Sequence, residues 1–408
     1  MSTLSRRQFL GSALLSGAGL LSTGSLSSFL GCASRCRTSP PTHGKRVLAD
    51  LHVHPMMNDW LARAPLAVRV PILGKIAETG FNKTSVTWES CHRAGIDLLC
   101  AAHFNLFDEW LSMPTDPNPE APMHALYMMD LLEQELAGPA APFAKLARNH
   151  IELAALLQKR QARDADYRVA VLHALEGGHT LGGSLKPLDD FARRGVALIT
   201  ITHFFNKGIA TSPNAYPFFP DGNSPWPHQG LSDFGREVIK RMEELGIIVD
   251  ATHTTCTALE DILRAASKPF LATHISARTL GDHAYSLFDE HIKAIADRKG
   301  MVGIPIYPYM LSNYNSERAA IEHGSLLEVV RTIRYVTKIC NHSHKHVGIG
   351  SDFAGYLPPL EEMTCLAEID ELRKLLLLEF DNDENVVEDI LANNAIAFLQ
   401  DNWRSGLP

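Results

Sequence analysis

Downstream of residue 46 the chain alternates short, nearly continuous apolar runs with stretches whose apolar positions recur at helical spacing. The runs are VLADLHVH (47–54), IDLLCAAH (96–103), RVAVLHALE (168–176), VALITITH (196–203), GIIVDATH (246–253), PFLATH (269–274), MVGIPIY (301–307) and HVGIGSD (346–352). Amphipathic segments such as DFGREVIKRMEELG, TALEDILRAAS and SLLEVVRTIRYVTKIC lie between them. Unbroken apolar strands are buried on both faces, as in a parallel sheet covered by helices. Eight β-then-α units predict an α/β fold of the closed (β/α)8, TIM-type barrel class over residues 46–408, with helices at the C-terminus. An open doubly wound sheet is the competing architecture, but no glycine-rich phosphate fingerprint follows the first run.

The runs end on His54, His103, Glu176, His203, His253, His274, Tyr307 and Asp352. In a barrel these positions share the C-terminal rim, where the catalytic groups of that fold sit. Packing does not account for so many ionisable side chains at strand ends. In the first run His52 and His54 are two residues apart, so a strand aims both imidazoles at one spot. Four histidines (His52, His54, His253, His274) and two carboxylates (Glu176, Asp352) suit a hydrolytic site holding two Zn²⁺ ions. Two neighbouring cations need a bridging carboxylate. The fourth run carries no lysine that could be modified to serve, so Glu176 is the natural bridge. Asp352 can deprotonate an attacking water and pass the proton to a leaving amine. His203 can polarise a substrate carbonyl or stabilise an oxyanion. His103 is open between lining the pocket and packing, and the histidines of NHSHKH (341–346) read as a solvated loop. Segment 206–230, rich in Pro, Gly and aromatics, suits a pocket wall or lid.

The N-terminus belongs to targeting and not to the fold. Residues 1–31, with Arg6 and Arg7 ahead of a weakly apolar Ser/Gly-diluted stretch, resemble a twin-arginine export leader. FLGC (29–32) resembles a lipoprotein box with Cys32 as the lipidated residue, and residues 32–45 read as a tether. These readings place the protein in the periplasm or on a membrane through a lipid anchor. The formal net charge is −8 over 408 residues, and loss of the leader, with its two arginines and no acids, makes the rest more acidic. Such a balance argues against nucleic acid as a partner. A homo-oligomer is compatible with the composition. The cysteines show no C-x-x-C spacing, so they read as buried thiols with at most one bridge.

Read in order, ALEGGHTLGG, GLSDFGREVIKRMEELGIIVDATHTT, ATHISARTL and HVGIGSDFAG resemble the membrane (renal) dipeptidases. That family consists of zinc metallopeptidases built on a (β/α)8 barrel, and the likeness runs from about residue 46 to the C-terminus. The resemblance implies that His52, Glu176, His253 and His274 are zinc ligands with Glu176 bridging, that Asp352 is the acid/base carboxylate, and that His203 contacts the substrate carbonyl. Three departures stand out. His54 replaces an expected Asp, which removes one negative charge from the metal site. Tyr285 stands where an Arg would hold the free carboxylate of a dipeptide, and a phenol offers no bidentate charged grip. Pro305 replaces an aromatic near the end of the seventh run, with Tyr307 two residues on. Arg278 and Lys207 are the candidates for a carboxylate anchor from another direction.

The expected function is therefore a dinuclear zinc hydrolase that cleaves the amide bond of a dipeptide or related small substrate. The competing readings are a lactone or phosphoester hydrolase on the same barrel, and a small-ligand-binding lipoprotein without turnover.

Overall fold

The structure, a computed structural model, describes residues 46–57, 85–105, 108–109, 117–162, 166–205, 208–213, 230–313, 323–355 and 360–406. The leader, Cys32, the tether, Lys207 and most of segment 206–230 lie outside the described residues.

Eight parallel strands close into a barrel with helices outside. They are β1 (Ala49–Val53), β2 (Leu98–His103), β4 (Val169–Glu176), β5 (Val196–Thr200), β6 (Ile248–Asp250), β7 (Leu271–Ala272), β8 (Met301–Ile304) and β9 (Val347–Ile349). Closure comes from the pairing of Asp50 in β1 with Ile349 in β9, while β2 pairs along its length with β4. Each predicted run contains one of these strands. One strand was not predicted: β3 (Ala144–Leu146) pairs with the foot of β4. It is three residues long with an exposed Lys145 at its centre, so it carries no apolar run to betray it.

Six of the eight strands stop before their apolar runs do, whereas β2 and β4 continue to the last residue. Near the rim, two buried carboxylates bond further backbone N–H groups beside the strand ladder. Asp50 accepts the backbone N–H of His52 (3.0 Å) and of Ser351 (2.9 Å). Asp250 accepts those of Thr252 (3.0 Å) and Thr273 (3.1 Å). Past the strand ends His253 (φ 63°) and Asp352 (φ 60°) adopt the left-handed conformation, with the Asp352 N–H still donating to the His52 carbonyl (2.9 Å). Residues other than glycine seldom do so, and such positions gather at functional sites.

Small and aliphatic residues fill the barrel interior, among them Ala49, Leu51, Leu98, Ala170, Leu172, Leu198 and Leu271. Beside β7 the walls come so close that a Cβ on Gly303 or on Gly350 would lie 1.8 Å from the Thr273 carbonyl oxygen. The opposite, N-terminal end is closed by the C-terminal chain, with Ala395, Leu399 and Trp403 packed into the same cluster. Ser405 Oγ donates to the Val196 carbonyl (2.6 Å) at the foot of β5, and the Arg404 N–H donates to Gly246 O (2.8 Å) ahead of β6. The predicted C-terminal helices thus act as a floor, and the rim is left open for chemistry.

Among the described residues the α-helices are α1 (Trp88–Ala94), α2 (Ala121–Ala137), α3 (His150–Gln161), α4 (Pro187–Arg193), α5 (Asp233–Leu245) and α6 (Cys256–Ala265). They continue with α7 (Asp289–Asp297), α8 (Pro308–Leu311), α9 (Leu326–Ile339), α10 (Asp370–Glu379), α11 (Glu384–Glu388) and α12 (Asn394–Asn402). Their starts were written locally. Ser232 Oγ caps α5 through Gly235 N–H (2.9 Å), and Thr255 Oγ1 caps α6 through Ala258 N–H (3.1 Å). Cys91, Cys100, Cys256 and Cys340 are free thiols, whereas Cys365 is disulfide-bonded.

Candidate metal centre and active site

The strand-end residues converge on Glu176, the last residue of β4 and almost fully buried. Its Oε1 lies 3.2 Å from His52 Nε2, 3.3 Å from His253 Nε2 and 3.6 Å from His274 Nε2. Its Oε2 lies 3.5 Å from His54 Nε2. The imidazole nitrogens also face one another, His52 and His54 at 3.1 Å and His253 and His274 at 2.9 Å. Asp352 Oδ1 is 3.2 Å from His54 Nε2 and 4.0 Å from His52 Nε2. One buried carboxylate thus sits between two pairs of imidazoles, with a second carboxylate at the mouth.

The nitrogens that face away from the centre show which atoms are left for a ligand. His54 Nδ1 donates to the Ala102 carbonyl (3.2 Å), so its Nε2 carries the lone pair. The Thr273 hydroxyl donates to Asp250 Oδ2 (2.7 Å), so Thr273 Oγ1 accepts from His274 Nδ1 (3.0 Å), which again leaves Nε2 open. This hydrogen-bonded support is what metal-binding imidazoles require. Nitrogen lone pairs crowded against each other and a carboxylate fit a cation far better than they fit one another. Three overlapping sets of these side chains could each hold a metal ion: His52, Glu176 and His274; His52, His54 and Asp352; and Glu176, His203 and His253.

Burial and neighbouring charge pull the titrating groups of the centre in opposite directions. Burial works against a cation on His52, but Glu176 beside it outweighs burial and raises its pKa to about 9. His203 is raised despite burial, by Glu176 and then Glu109. Burial would raise Glu176, yet His203 and His52 hold it well below the usual carboxylate range. His274 is held well below the ordinary imidazole range by burial and by His52, and His253 is lowered by burial and by His203.

His203 lies at the same centre, with Nε2 3.7 Å from Glu176 Oε1. Tyr285 reaches it too, edge-on to His253 with ring centroids 5.1 Å apart. Burial, followed by Glu109 and Glu176, pushes the Tyr285 phenol well above its ordinary value, so it is a neutral donor. Tyr307 is buried at the start of α8, its ring centroid 6.0 Å from that of Tyr309. Arg278 is committed elsewhere: it reaches the His283 carbonyl (2.8 Å), Asp282 (3.3 Å) and the face of Phe288 (4.6 Å). His103 packs and does not line the pocket, since its Nε2 meets His173 Nδ1 (2.9 Å). In the 341–346 loop His344 pairs with Asp389 (3.0 Å) and His346 with the Gly300 carbonyl (2.9 Å).

Sequence reasoning passed over Asp50, Asp250 and Glu109. The two aspartates had a signal, a carboxylate inside an apolar run two or three residues ahead of a histidine. Glu109 had none.

A profile of the family described as membrane dipeptidase, peptidase family M19, matches residues 132–402. That span holds Glu176, His203, His253, His274 and Asp352, while His52, His54 and Glu109 precede it. Among curated proteins, the dipeptidase tcpJ of Claviceps purpurea is 28% identical over 235 residues, 57% of this chain and 51% of that protein. The dipeptidase aclJ of Aspergillus oryzae is 30% identical over 46% of this chain and 41% of its own length. The chain thus spans about half the length, or less, of these curated relatives. Among solved structures, a metallo peptidase from Rhodobacter sphaeroides, liganded with a phosphinate mimic of the dipeptide L-Ala-D-Ala, superposes with a TM-score of 0.69. It is 20% identical, over 88% of this chain and all of that one, a likeness that speaks for the fold. With the matched span covering well over half of its residues, the chain belongs to the membrane dipeptidase family, peptidase family M19.

Proposed function

We propose that the protein is a dinuclear zinc hydrolase that cleaves the amide bond of dipeptides or closely related small substrates. One observation carries this reading: four imidazoles from three strand ends meet both oxygens of a buried Glu176, with Asp352 beside them. Nitrogen and carboxylate donors favour zinc. When bound, the two ions supply a water acidic enough to ionise at neutral pH and positive charge for a carbonyl oxygen.

The chain's own residues do the rest. Asp352 takes the proton of the attacking water and returns it to the amine nitrogen as the C–N bond breaks. His203 Nε2 donates a hydrogen bond to the carbonyl oxygen as negative charge builds on it. Tyr285 donates one more hydrogen bond to the substrate. Export by the twin-arginine route and a lipid anchor at Cys32 complete the proposal. No helix among the described residues is long and apolar enough to cross a membrane.

The test uses purified, metal-loaded protein and matched dipeptides with free and amidated C-termini. Hydrolysis that is lost on chelation supports the proposal, and preference for the free carboxylate shows that some group replaces the missing arginine. Because Arg278 is engaged elsewhere, equal cleavage of both forms would remove the carboxylate anchor from the reading. Failure to cleave either form, with metal bound, sinks the peptidase reading and directs attention to lactones and phosphoesters.

A further inference from the structure

Glu109 lies in the segment between β2 and α2, and nothing in its sequence surroundings marks it. Its side chain is fully buried, a costly place for a carboxylate unless both oxygens are used. Both are. Oε2 accepts from His203 Nδ1 at 2.8 Å, and Oε1 accepts the Phe205 backbone N–H at 2.9 Å. The residue before it is anchored as well: Asp108 accepts from Asn105 Nδ2 (2.5 Å), Asn118 Nδ2 (2.7 Å) and His124 Nδ1 (2.7 Å). The His203 ring is hemmed in by Phe104, Phe204 and His253 at centroid distances of 4.4, 3.9 and 4.4 Å. Its one remaining polar atom, Nε2, faces Glu176.

We propose that Glu109 is a positioning residue for amide hydrolysis: it fixes the plane of the His203 ring by holding its Nδ1–H, so that Nε2–H is aimed at the substrate carbonyl. The inference rests on the hydrolase reading above and deepens it. A carboxylate behind an imidazole does two things that packing alone does not. It holds Nδ1–H in one direction, which sets where Nε2–H points, and it places negative charge behind a ring that donates toward developing negative charge. The Phe205 contact ties the same carboxylate to the chain just past His203, so the ring and its backbone move together.

The test compares wild type with Glu109→Gln, Glu109→Asp, His203→Gln and the double variant Glu109→Gln/His203→Gln, all metal-loaded, with L-Ala-L-Ala and L-Ala-D-Ala as substrates. The expected result for Glu109→Gln is a kcat about 10- to 100-fold lower, KM changed by less than about threefold and metal content unchanged. Glu109→Asp should recover part of the loss. In the His203→Gln background, Glu109→Gln should cost little more, because the group it serves is gone. Three results would overturn the proposal: a lowered Tm with unchanged kcat, an equal loss in the presence and absence of His203, or loss of metal from Glu109→Gln. The last would make His203 a metal ligand. If wild type cleaves neither dipeptide, the peptidase reading fails on its own. The ¹⁵N spectrum of the His203 ring then still tests the pairing. A proton held on Nδ1 in wild type that is lost in Glu109→Gln supports it, and an Nδ1 signal unchanged by the substitution refutes it.

Discussion

At the scale of the residue, the centre is built from side chains that cannot be satisfied by one another. His52 Nδ1 and His253 Nδ1 have no hydrogen-bond partner among the described residues, and their Nε2 atoms crowd Glu176. Two of the residues gathered there, His253 and Asp352, are also held in left-handed backbone that costs roughly 1–3 kcal/mol each. Such strain persists when the surroundings over-determine it. Here Asp50 holds Ser351, one residue ahead of Asp352, and Asp250 holds Thr252, one residue ahead of His253. Burial raises Asp50 to about 6 despite the bonds from Ser351, so this brace is itself bought against desolvation. Asp352 is the residue whose role is most sharply testable. Asp352→Asn keeps the shape and removes the base, so kcat should fall by about 10²- to 10⁴-fold with metal content retained. Steady-state kinetics beside metal analysis decide it, and activity surviving within a few-fold would remove Asp352 from proton transfer.

At the scale of the element, α2 is tied to the barrel by charge as well as by apolar packing. Glu133 on α2 receives Arg194 Nη2 (2.6 Å), Arg148 Nη2 (2.6 Å) and His173 Nε2 (3.2 Å) from three neighbouring segments. Burial opposes its ionisation, but bonds from His173 and Arg194 lower its pKa to about 2. A folded-state value below the ordinary 4.5 means stabilisation that is present above about pH 4.5 and is lost as pH falls toward 2. Glu133→Gln should therefore be less stable near neutrality, by about 1 kcal/mol after allowance for solvent screening. The gap to wild type should close through that acid window, as denaturant melts at a series of pH values would show. A gap that does not change with pH would mean that the charge is not what holds α2. The same network explains why His103 turned out to pack: its partner His173 points outward to Glu133 and away from the rim.

At the scale of the whole molecule, the barrel divides its labour between two ends. The floor is apolar and closed by Trp403 and its neighbours, and the rim concentrates histidines and carboxylates. An ion that binds the folded rim and not the unfolded chain stabilises the fold by mass action, about 2.7 kcal/mol at a hundredfold excess over Kd. Chelation should lower Tm, and Zn²⁺ returned in slight excess should restore it. Scanning calorimetry checks this, and a Tm indifferent to metal would mean that the rim does not bind the ion in the folded protein.

Sequence alone determined the barrel, because the number and alternation of apolar runs is a local property that survives without knowledge of any contact. It also marked His54, Glu176, His203, His253, His274 and Asp352 as rim residues, because a polar residue closing an apolar run is visible in one dimension, and His52 by its place two residues before His54 on the same strand face. Tyr285 was legible only as a departure from a family pattern, and the structure brings it to the centre. What only the tertiary structure decided are pairings between distant segments. Glu109 and His203 stand 94 positions apart, and Asp50 and Ser351 stand 301 apart. The side to which His103 turns and the engagement of Arg278 by its own loop were settled the same way. A run's apolar period records which face is buried, whereas the partner of a buried polar group depends on how the closed barrel brings separate strand ends together.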